Sequence, residues 1–571
     1  MKKRALTLSL VALATTQAYA TIPNSYTLST IESSPVAPYH LTALGLTSDG
    51  TLTGIVSGDE IHDNTVETAR ITESDTTNDI YSDLLGVFDD DTVTDLVDDV
   101  YNDTSGYYRS LSTANGFMGN SSTSMTLVPG LASDDDLLTV TSYVYGGVDG
   151  YYFGYNSGPF TADTFTNGDG DEVTDYVRDY SHRGFMTDNN GTTYPLYPAY
   201  TYPDATRNDT QLISADDKLG GYSIAMGGNS SYIVGYSSSE LSSGSETTLS
   251  NCEDSDVKQP MLACLRNVTY QYRATVWPLT NGVPGDPVTL GVLNEKTGDD
   301  YNPASYNSYG YAINSSGIVA GQSMHNNDGT WRNVATIFDA STGEPIEAIG
   351  KTGSGISSSV AYGINDNNIV VGEVVYPSSY SKYRFFVFDK TSGDITYPST
   401  FYSSANAVAY DINNDDLVVG VADYEELPPS STRRQHAFVY DYDNDDFQDL
   451  NDKLQFNSTT LDDVYGGDTC TAREDWVLEY ARRINDDGQI AATAVTTLRD
   501  SDGNQVLDDD GDVQYVLRPV LLTPSDDTAT TCEDDEDDDT SYSRKGGGSF
   551  GFLALGGLGL VGLLRRRQFK R

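Results

Sequence analysis

Acidic side chains at alternate positions are the residues of this chain best suited to chemistry. Calcium takes about six to eight oxygen ligands, and alternation in a tight loop directs several carboxylates to one point. Residues 167–171 and 441–445 have this spacing. The best loop spans residues 500–512, with candidate calcium ligands Asp500, Asp502, Asn504, Asp508, Asp510 and Asp512. Gln505 stands where an EF-hand needs glycine. Ordinary Asp-Asn-Gly hairpin turns explain the same runs, so both interpretations stay open at this point.

Signals for catalysis are sparse. The chain has five histidines, and none lies in a His-Glu-x-x-His zinc motif. A Gly-x-Ser-x-Gly string at residues 547–551 lies in an apolar tail, not at the strand-to-helix turn that holds a hydrolase nucleophile. Acidic pairs occur throughout, so no two can be chosen as the carboxylates of a glycosidase. These observations favour binding over catalysis and leave enzyme activity open.

Copies of one short unit must position these residues. The unit has an apolar anchor, a polar turn and a strand, and the strand carries a glycine eight residues after the anchor. Ala492 replaces that glycine in one copy, and we expect the glycine to end the strand. Residues 222–237 and 111–119 are weaker copies. The five clear copies have their anchors at Leu46, Ile313, Ile364, Ile412 and Ile484.

A second strand follows each unit and is rich in aromatic and β-branched residues. Most of these strands begin with Arg or His, and they span residues 183–188, 273–277, 332–339, 384–389, 436–441 and 518–523. Two strands cannot bury their own apolar faces. The anchors Ile313, Ile364 and Ile412 are 51 and 48 residues apart, close to the roughly 40–50 residues of a propeller blade. The pattern predicts an all-β fold, a β-propeller of about seven blades over residues 21–525. A strand within residues 25–33 would complete the last blade and close the ring.

The two motifs also carry a family resemblance. Ile-Asn-x-x-Gly-x-Val-Val-Gly, followed by (His/Arg)-Ala-Phe-Val-Tyr-Asp, resembles the HAF-type extracellular repeat of bacterial secreted proteins. The resemblance covers most of residues 41–523. It implies a β-propeller-like fold and brings no established catalytic residues.

Four segments depart from the repeat. Residues 78–103 have apolar positions at helical spacing and predict a helical insertion. Residues 238–266 form a polar insertion. Residues 143–155 and 194–202 concentrate tyrosines, which would either bind sugars or proteins at the surface or pack between blades.

The N-terminus predicts export. Lys2, Lys3 and Arg4 precede an apolar run, and a small-x-small cleavage site ends at Ala20. Residues 1–20 are therefore interpreted as a signal peptide, and the mature chain would begin near Thr21.

The C-terminus predicts sorting at a membrane. An acidic stalk at 526–545 precedes residues 546–571, in which a short apolar transmembrane run, 550–564, is followed by basic residues. This segment resembles the GlyGly-CTERM sorting signal. The resemblance implies transient anchoring in the inner membrane, cleavage by a sorting protease of the rhomboid type and transfer by type II secretion machinery. A permanent single-span anchor is the alternative. The processing residues would be Gly546, Gly547, Gly548 and Ser549.

Four cysteines accompany these export signals. Export favours disulfides over free thiols. Cys252 and Cys264 form the natural local loop, and Cys470 with Cys532 would tie the base of the stalk to the last blade.

The net charge of the chain narrows the range of expected partners. The formal net charge is −51, which disfavours nucleic acid and anionic membrane surfaces as partners because both would be repelled. We expect an exported β-propeller, at the cell surface or secreted, that binds an extracellular ligand. The alternatives are a secreted glycosidase-like hydrolase that uses carboxylates at the propeller centre, and a structural or adhesive surface protein.

Overall fold

Seven antiparallel sheets make up most of the protein. The computed structural model describes residues 21–530 outside gaps at 32–39, 58–111, 113, 121–122, 134–135, 138, 149, 208–209, 255–257, 295–305, 328–329, 350–354, 378–381, 428–432, 457–468, 500–503, 508–510 and 512. The innermost strands of the sheets contact one another in order, and the seventh contacts the first. The sheets are therefore the blades of a closed seven-bladed β-propeller, as the repeat predicts.

The first three blades carry most of the described insertions. Strand β1 (Ser25–Thr30) belongs to the last blade. Blade 1 consists of β2 (His40–Leu46), β3 (Leu52–Ser57), β4 (Asn115–Asn120) and β5 (Thr123–Val128). Blade 2 consists of β6 (Ser142–Val148), β7 (Tyr151–Asn156), β10 (Arg183–Thr187) and β11 (Thr193–Leu196), with the inserted hairpin of β8 (Phe160–Thr166) and β9 (Glu172–Arg178). After a second hairpin of β12 (Ala205–Arg207) and β13 (Thr210–Ile213), blade 3 consists of β14 (Ser223–Gly228), β15 (Tyr232–Leu241), β16 (Tyr270–Thr280), β17 (Val283–Pro284) and β18 (Val288–Thr289).

The remaining blades follow the repeat closely. Blade 4 consists of β19 (Ser308–Ile313), β20 (Ile318–Asn327), β21 (Thr330–Asp339) and β22 (Pro345–Ile349). Blade 5 consists of β23 (Ser358–Ile364), β24 (Ile369–Tyr376), β25 (Lys382–Asp389) and β26 (Asp394–Thr396). Blade 6 consists of β27 (Ala407–Ile412), β28 (Leu417–Asp423), β29 (Gln435–Asp441) and β30 (Asp446–Asp449). Blade 7 consists of β31 (Leu454–Gln455), β32 (Val477–Ile484), β33 (Ile490–Thr497), β34 (Tyr515–Ser525) and β1.

Strand β1 closes the ring from the N-terminal end of the described chain. It pairs antiparallel with β34, with Tyr26 opposite Pro524, and parallel with β31. Tyr26 and Leu28 are buried in the core of blade 7. The predicted closing strand is confirmed for residues 25–30.

A bulge in each innermost strand explains the repeated glycine. In blade 5, Ala361 pairs with Gly372 and Gly363 pairs with Val371, so Tyr362 is an extra residue. A methyl group at Gly372 would overlap the carbonyl oxygen of Val360. The expectation that this glycine ends the strand is wrong, because Gly372 lies inside β24, opposite the bulge.

Blade 7 departs from this pattern. It carries Ala492 at the glycine position, and its inner strand has two bulges instead of one. The additional bulge falls at Glu479, whereas Ala492 pairs with Ala481 beside the bulge at Arg482 and is fully buried.

An asparagine in the turn between the first and second strands joins neighbouring blades, from blade 3 to blade 7. Each anchor ends an innermost strand, which the sequence analysis had not predicted, and in blades 3 to 7 an asparagine begins the turn that follows. Its side-chain oxygen accepts hydrogen bonds from the backbone of its own turn, and its Nδ2 donates to the carbonyl of the corresponding asparagine in the next blade. These links, at 2.7–3.2 Å, run from Asn229 through Asn314, Asn365 and Asn413 to Asn485. We call this chain the asparagine belt.

The weaker repeat copies have different outcomes. Residues 222–237 span β14 and β15 and are confirmed as a copy. The copy at 111–119 is wrong, because Gly119 lies in β4, the third strand of its blade. The true first pair of blade 2 lies within the tyrosine-rich residues 143–155. Tyr145 and Tyr155 are buried there, which supports packing between blades.

The polar insertion contains two helices that the sequence analysis did not predict, Ser245–Cys252 and Met261–Leu265. Cys252 and Cys264 are disulfide-bonded, with their Cα atoms 5.8 Å apart, so the predicted local disulfide is confirmed. Cys470, in the helix Thr469–Asp475, is also disulfide-bonded. Its predicted partner Cys532 lies outside the described residues.

Several predicted segments lie outside the described residues. They are the signal peptide at 1–20 with Ala20, the helical insertion at 78–103, and the sorting segment with Gly546, Gly547, Gly548 and Ser549. Within the part of the chain that the structure describes, no helix has the length and apolar character needed to cross a bilayer. The first residues of the predicted stalk, 526–530, hydrogen-bond to blade 7, where the Thr530 amide donates to Leu454 O at 2.9 Å.

Candidate functional site

The two faces of the propeller differ in their connections. Because the strands of a blade alternate in direction, the asparagine belt lies on one face, and the connections between second and third strands lie on the other. The second face carries the hairpin β8–β9 and the helices Ser245–Cys252 and Met261–Leu265. We call it the insertion face.

A cavity of about 330 Å³ lies between the insertions of blades 2 and 3. This volume is at the lower end of ligand pockets, about 300–1,000 Å³. At its inner end, Tyr270 donates a hydrogen bond to Tyr202 Oη at 3.0 Å, and Tyr202 donates to Leu265 O at 3.3 Å. Aromatic rings dominate its walls, from Phe160, Tyr176, Tyr180, Tyr202 and Tyr270.

The charges around this cavity balance in number, with Arg178 and Arg266 against Asp175 and Asp179. Arg266 Nη2 lies 2.7 Å from Oδ2 of the buried Asp175. The guanidinium of Arg178 lies 3.6 Å from the Phe160 ring centre and donates to Thr139 O at 2.8 Å. Burial lowers the pKa of Arg178 to about 10, so it stays protonated at neutral pH. An aromatic, nearly neutral cavity suits the apolar face of a sugar ring or a peptide side chain.

The seven inner bulges define a second candidate site on the propeller axis. Tyr362 is the extra residue in blade 5, and each other blade contributes one residue at the equivalent position. Bulges are frequent beside functional sites because they redirect a side chain. The axial ring consists of Leu44, Tyr145, Met226, Tyr311, Tyr362, Tyr410 and Arg482.

Aromatic contacts connect one half of the axial ring. The Tyr362 ring centre lies 5.7 Å from that of Tyr311 and 5.7 Å from that of Tyr410. The guanidinium carbon of Arg482 lies 4.0 Å from the Tyr410 ring centre, within cation–π range.

Glu373 lies behind Tyr362. Tyr362 Oη donates to Glu373 Oε1 at 3.1 Å. Burial raises the pKa of Glu373 to about 7, against the smaller opposing effect of this hydrogen bond. The axis therefore holds a carboxyl group that changes its charge near neutral pH.

An uncharged aromatic stack continues toward blades 2 and 3. His182 lies between the rings of Tyr155 and Tyr222, with ring centres 5.0 and 4.5 Å away. Burial lowers the pKa of His182 to about 4, so the imidazole is neutral at physiological pH and packs as an aromatic ring.

Another acid beside the axis is already paired. Asp411 Oδ2 accepts a hydrogen bond from the Ile484 amide at 3.0 Å, and Asp411 Oδ1 lies 3.9 Å from Arg483 Nη1. Burial raises the pKa of Asp411 and Arg483 opposes that rise. The arrangement fixes Asp411 as a link between blades 6 and 7.

The predicted calcium ligands are only partly visible. Asn504 lies in a described segment between two gaps, whereas Asp500, Asp502, Asp508, Asp510 and Asp512 lie outside the described residues. Among the residues that the structure describes, no group of three or more His, Cys, Asp or Glu side chains is placed to hold a metal ion. Calcium at 500–512 stays a prediction.

The other two acidic runs are turns. Asn167 Oδ1 accepts hydrogen bonds from the amides of Asp169 and Asp171 at 3.0 and 2.9 Å. Asp441 accepts from the amide and the side chain of Asn444 at 3.0 and 2.8 Å. The hairpin interpretation holds at these two places.

The axial ring was not predicted from the sequence, although the repeat contains a signal for it. Tyr311, Tyr362, Tyr410 and Arg482 each stand two residues before their anchor. Because the anchors were taken as the start of the unit, the preceding strand and its bulge went unrecognised. Three tyrosines and one arginine at one repeat position are the available signal.

Fold and site together define a seven-bladed β-propeller with a ligand-sized cavity on the insertion face and a tyrosine-lined axis. The chain belongs to the family described as "Protein of unknown function (DUF3466)", whose model matches residues 4–567. No curated protein matches the sequence.

Several solved structures match this chain at low similarity. An oligogalacturonate lyase from Vibrio parahaemolyticus has 11% sequence identity and a TM-score of 0.35, covering 88% of this chain and 98% of that one. TolB from Acinetobacter baumannii has 10% identity and a TM-score of 0.24, covering 68% and 80%. The Dos1 propeller has 10% identity and a TM-score of 0.24, covering 66% and 86%. Such values carry no argument about activity.

Proposed function

We propose that this protein is an exported ligand-binding module that takes its ligand on the insertion face. The observation that carries the proposal is the cavity between hairpin β8–β9 and the helix Met261–Leu265 of blade 3. Insertions from two blades build it, and aromatic walls provide contact area at low entropic cost. Its balanced charges favour a ligand recognised by shape and stacking, and the proposed ligand class is a glycan or an aromatic-bearing peptide.

Delivery to the cell surface or the medium is part of the proposal. It rests on the signal-peptide pattern of residues 1–20 and on the resemblance of 546–571 to a sorting tail. Mass spectrometry of surface and medium fractions tests it. We expect mature protein that ends near Gly546–Ser549. Intact peptides that span 548–564 in those fractions would instead indicate a permanent anchor.

Binding is tested with the purified mature protein on arrays of oligosaccharides and peptides. Leu262 is a half-buried wall residue, and Leu262→Trp would fill the cavity with a larger apolar side chain. Any ligand of the cavity should lose affinity by about ten-fold or more, equivalent to about 1.4 kcal/mol. Tyr180→Ala removes an aromatic ring from the cavity wall and should also lower the affinity.

Tyr424→Ala is the matched control. Tyr424 is an exposed tyrosine in the connection between the second and third strands of blade 6, and so on the same face. Its removal should leave binding unchanged. If the control abolishes binding and the two cavity variants retain it, the ligand site lies elsewhere on the face. If no array member binds, the module interpretation fails.

A further inference from the structure

Arg482 is a buried cation on the propeller axis. It is 9% exposed and its Nε has no hydrogen-bond acceptor. Its guanidinium contacts the rings of Tyr410 and Tyr480, at 4.0 and 5.6 Å from the ring centres. Among the described residues, no carboxylate forms an ion pair with it. A buried charge is unfavourable without a partner, and aromatic faces compensate only part of this.

Glu373 is a buried acid on the same axis. It is 5% exposed, and its Oε1 accepts the hydrogen bond from Tyr362 while Oε2 accepts none. A buried carboxyl oxygen normally has a donor. The axis thus presents one cationic and one acidic group, each incompletely satisfied.

Both groups act on Tyr410, in opposite directions. Burial raises the pKa of Tyr410, Arg482 opposes this rise and Glu373 adds to it. Glu373 belongs to blade 5, Tyr410 to blade 6 and Arg482 to blade 7. Tyr410 therefore has an acid and a cation in its surroundings, and no ion pair joins the two among the described residues.

We propose that the axial ring binds a small zwitterion, with its carboxylate on Arg482, its ammonium on Glu373 and its carbon chain against Tyr410. A guanidinium can take a carboxylate through two parallel hydrogen bonds. An ammonium group is attracted both to a carboxylate and to the faces of tyrosine rings, which Tyr311, Tyr362 and Tyr410 provide. This site is separate from the cavity on the insertion face and does not depend on it.

The ligand enters from the insertion face. Tyr362 and Tyr309 retain partly exposed surface, so solvent reaches the ring. On the belt side, Arg483 Nη2 donates to Met226 O at 3.2 Å and so links blade 7 to blade 3 across the axis. A small molecule is thereby stopped at the level of the ring.

Calorimetric titration of the purified mature protein measures binding of the zwitterion. A series of probes of increasing length then reports the spacing between Arg482 and Glu373. The probes are glycine, β-alanine, γ-aminobutyrate and ε-aminocaproate, in which the ammonium and the carboxylate are progressively farther apart. Acetate and methylammonium each carry one of the two groups. One member of the series should bind at least about ten-fold more tightly than either single-group probe.

Two charge-removing variants assign the contacts. For Arg482→Gln, affinity for the best zwitterion should fall to that of methylammonium, and for Glu373→Gln it should fall to that of acetate. The control is Arg434→Gln, which removes an exposed arginine that pairs with Glu425 and should change nothing. If Arg482→Gln does not fold, Arg482→Lys keeps the charge without the planar fork and should bind with intermediate affinity.

A purely structural role for Arg482 makes different predictions. No member of the series would then bind better than the single-group probes, or binding would be the same in the variants and the unmodified protein. Either result overturns the proposal. Failure of the array experiment with the cavity variants would leave this site unaffected, because the two tests use different residues and different ligands.

Discussion

The side-chain Nδ2 of Asn365 donates a hydrogen bond to the backbone carbonyl of Asn413, 2.9 Å away in the next blade. The same side chain accepts a hydrogen bond from the Ile369 amide at 2.9 Å through Oδ1. One buried amide thus closes its own turn and fastens its blade to its neighbour. The turn motif therefore does more than connect two strands. Its asparagines also hold successive blades together.

We predict that Asn365→Ala lowers the free energy of unfolding by about 2 kcal/mol, because it removes the hydrogen bond to the Asn413 carbonyl and the side-chain acceptor of the buried Ile369 amide. Urea unfolding monitored by fluorescence measures the change. Asn365→Asp keeps the acceptor but loses the donor and places a second carboxylate beside Asp416, so it should also be destabilised, through the lost link between blades and through charge repulsion. Thr391→Ala, an exposed substitution in blade 5, is the control. Equal stability of Asn365→Ala and the control would contradict this account.

The glycine opposite each bulge makes a second prediction. Gly372→Ala forces a methyl group against Val360 O and should cost about 3 kcal/mol or more, since overpacking displaces backbone. Ala492→Gly makes the reverse change in blade 7, where the methyl group fits, and should cost only about 1 kcal/mol through added chain freedom. The two midpoints in urea are compared with that of the unmodified protein. Similar losses of stability in both variants would mean that the bulge does not require glycine at the opposite position.

Tyr26 allows a matched test of ring closure. Its ring is fully buried in blade 7, and its hydroxyl has no hydrogen-bond partner. Tyr26→Phe should therefore raise the free energy of unfolding by about 1 kcal/mol, because it removes an unsatisfied buried polar group. Tyr26→Ala should lower it by about 4 kcal/mol through the cavity it leaves. The melting temperatures of the two variants should thus move in opposite directions, and a loss in both would show that the hydroxyl is stabilising.

Local periodicity explains what could be predicted from the sequence. The anchor, the turn asparagine and the third strand repeat because each blade needs the same turn, the same link and the same buried face. Residues 111–119 were wrongly predicted to be a repeat copy, because Gly119 has the expected spacing from Leu111 but lies in the third strand of its blade. The first pair of blade 2 was missed because Val148 and its turn lack the asparagine that marks blades 3 to 7.

The candidate sites could not be predicted in the same way. The cavity depends on Phe160 and Leu262, which are far apart in sequence and come together only through two insertions. The axial ring depends on a bulge, which strand periodicity does not reveal. Glu373 follows the repeat glycine, a position held by Gln322 in blade 4 and Val421 in blade 6. Its chemistry arises from burial beside Tyr362, a tertiary effect.

Glu373 also makes the stability of the propeller depend on pH. Burial among Tyr311, Tyr362 and Tyr410 raises its pKa from 4.5 to about 7, so between these values the folded protein holds a proton that the unfolded chain has released. The stability linked to this proton is complete below pH 4.5, falls as the pH rises through that window, and is lost above about 7.

Glu373→Gln stays neutral at every pH and lacks this dependence. The free energy of unfolding of the variant, minus that of the unmodified protein, should therefore increase by about 3 kcal/mol across the window. The many surface carboxylates contribute equally to both proteins and cancel in the difference. Urea titrations of the two proteins at matched pH values measure it, and Tyr362→Phe should shift the window slightly upward, since it removes the donor that favours the ionised form. A difference that stays flat from acid to mildly alkaline pH would show that Glu373 has the same pKa in the folded and unfolded protein, so that another group balances the effect of burial.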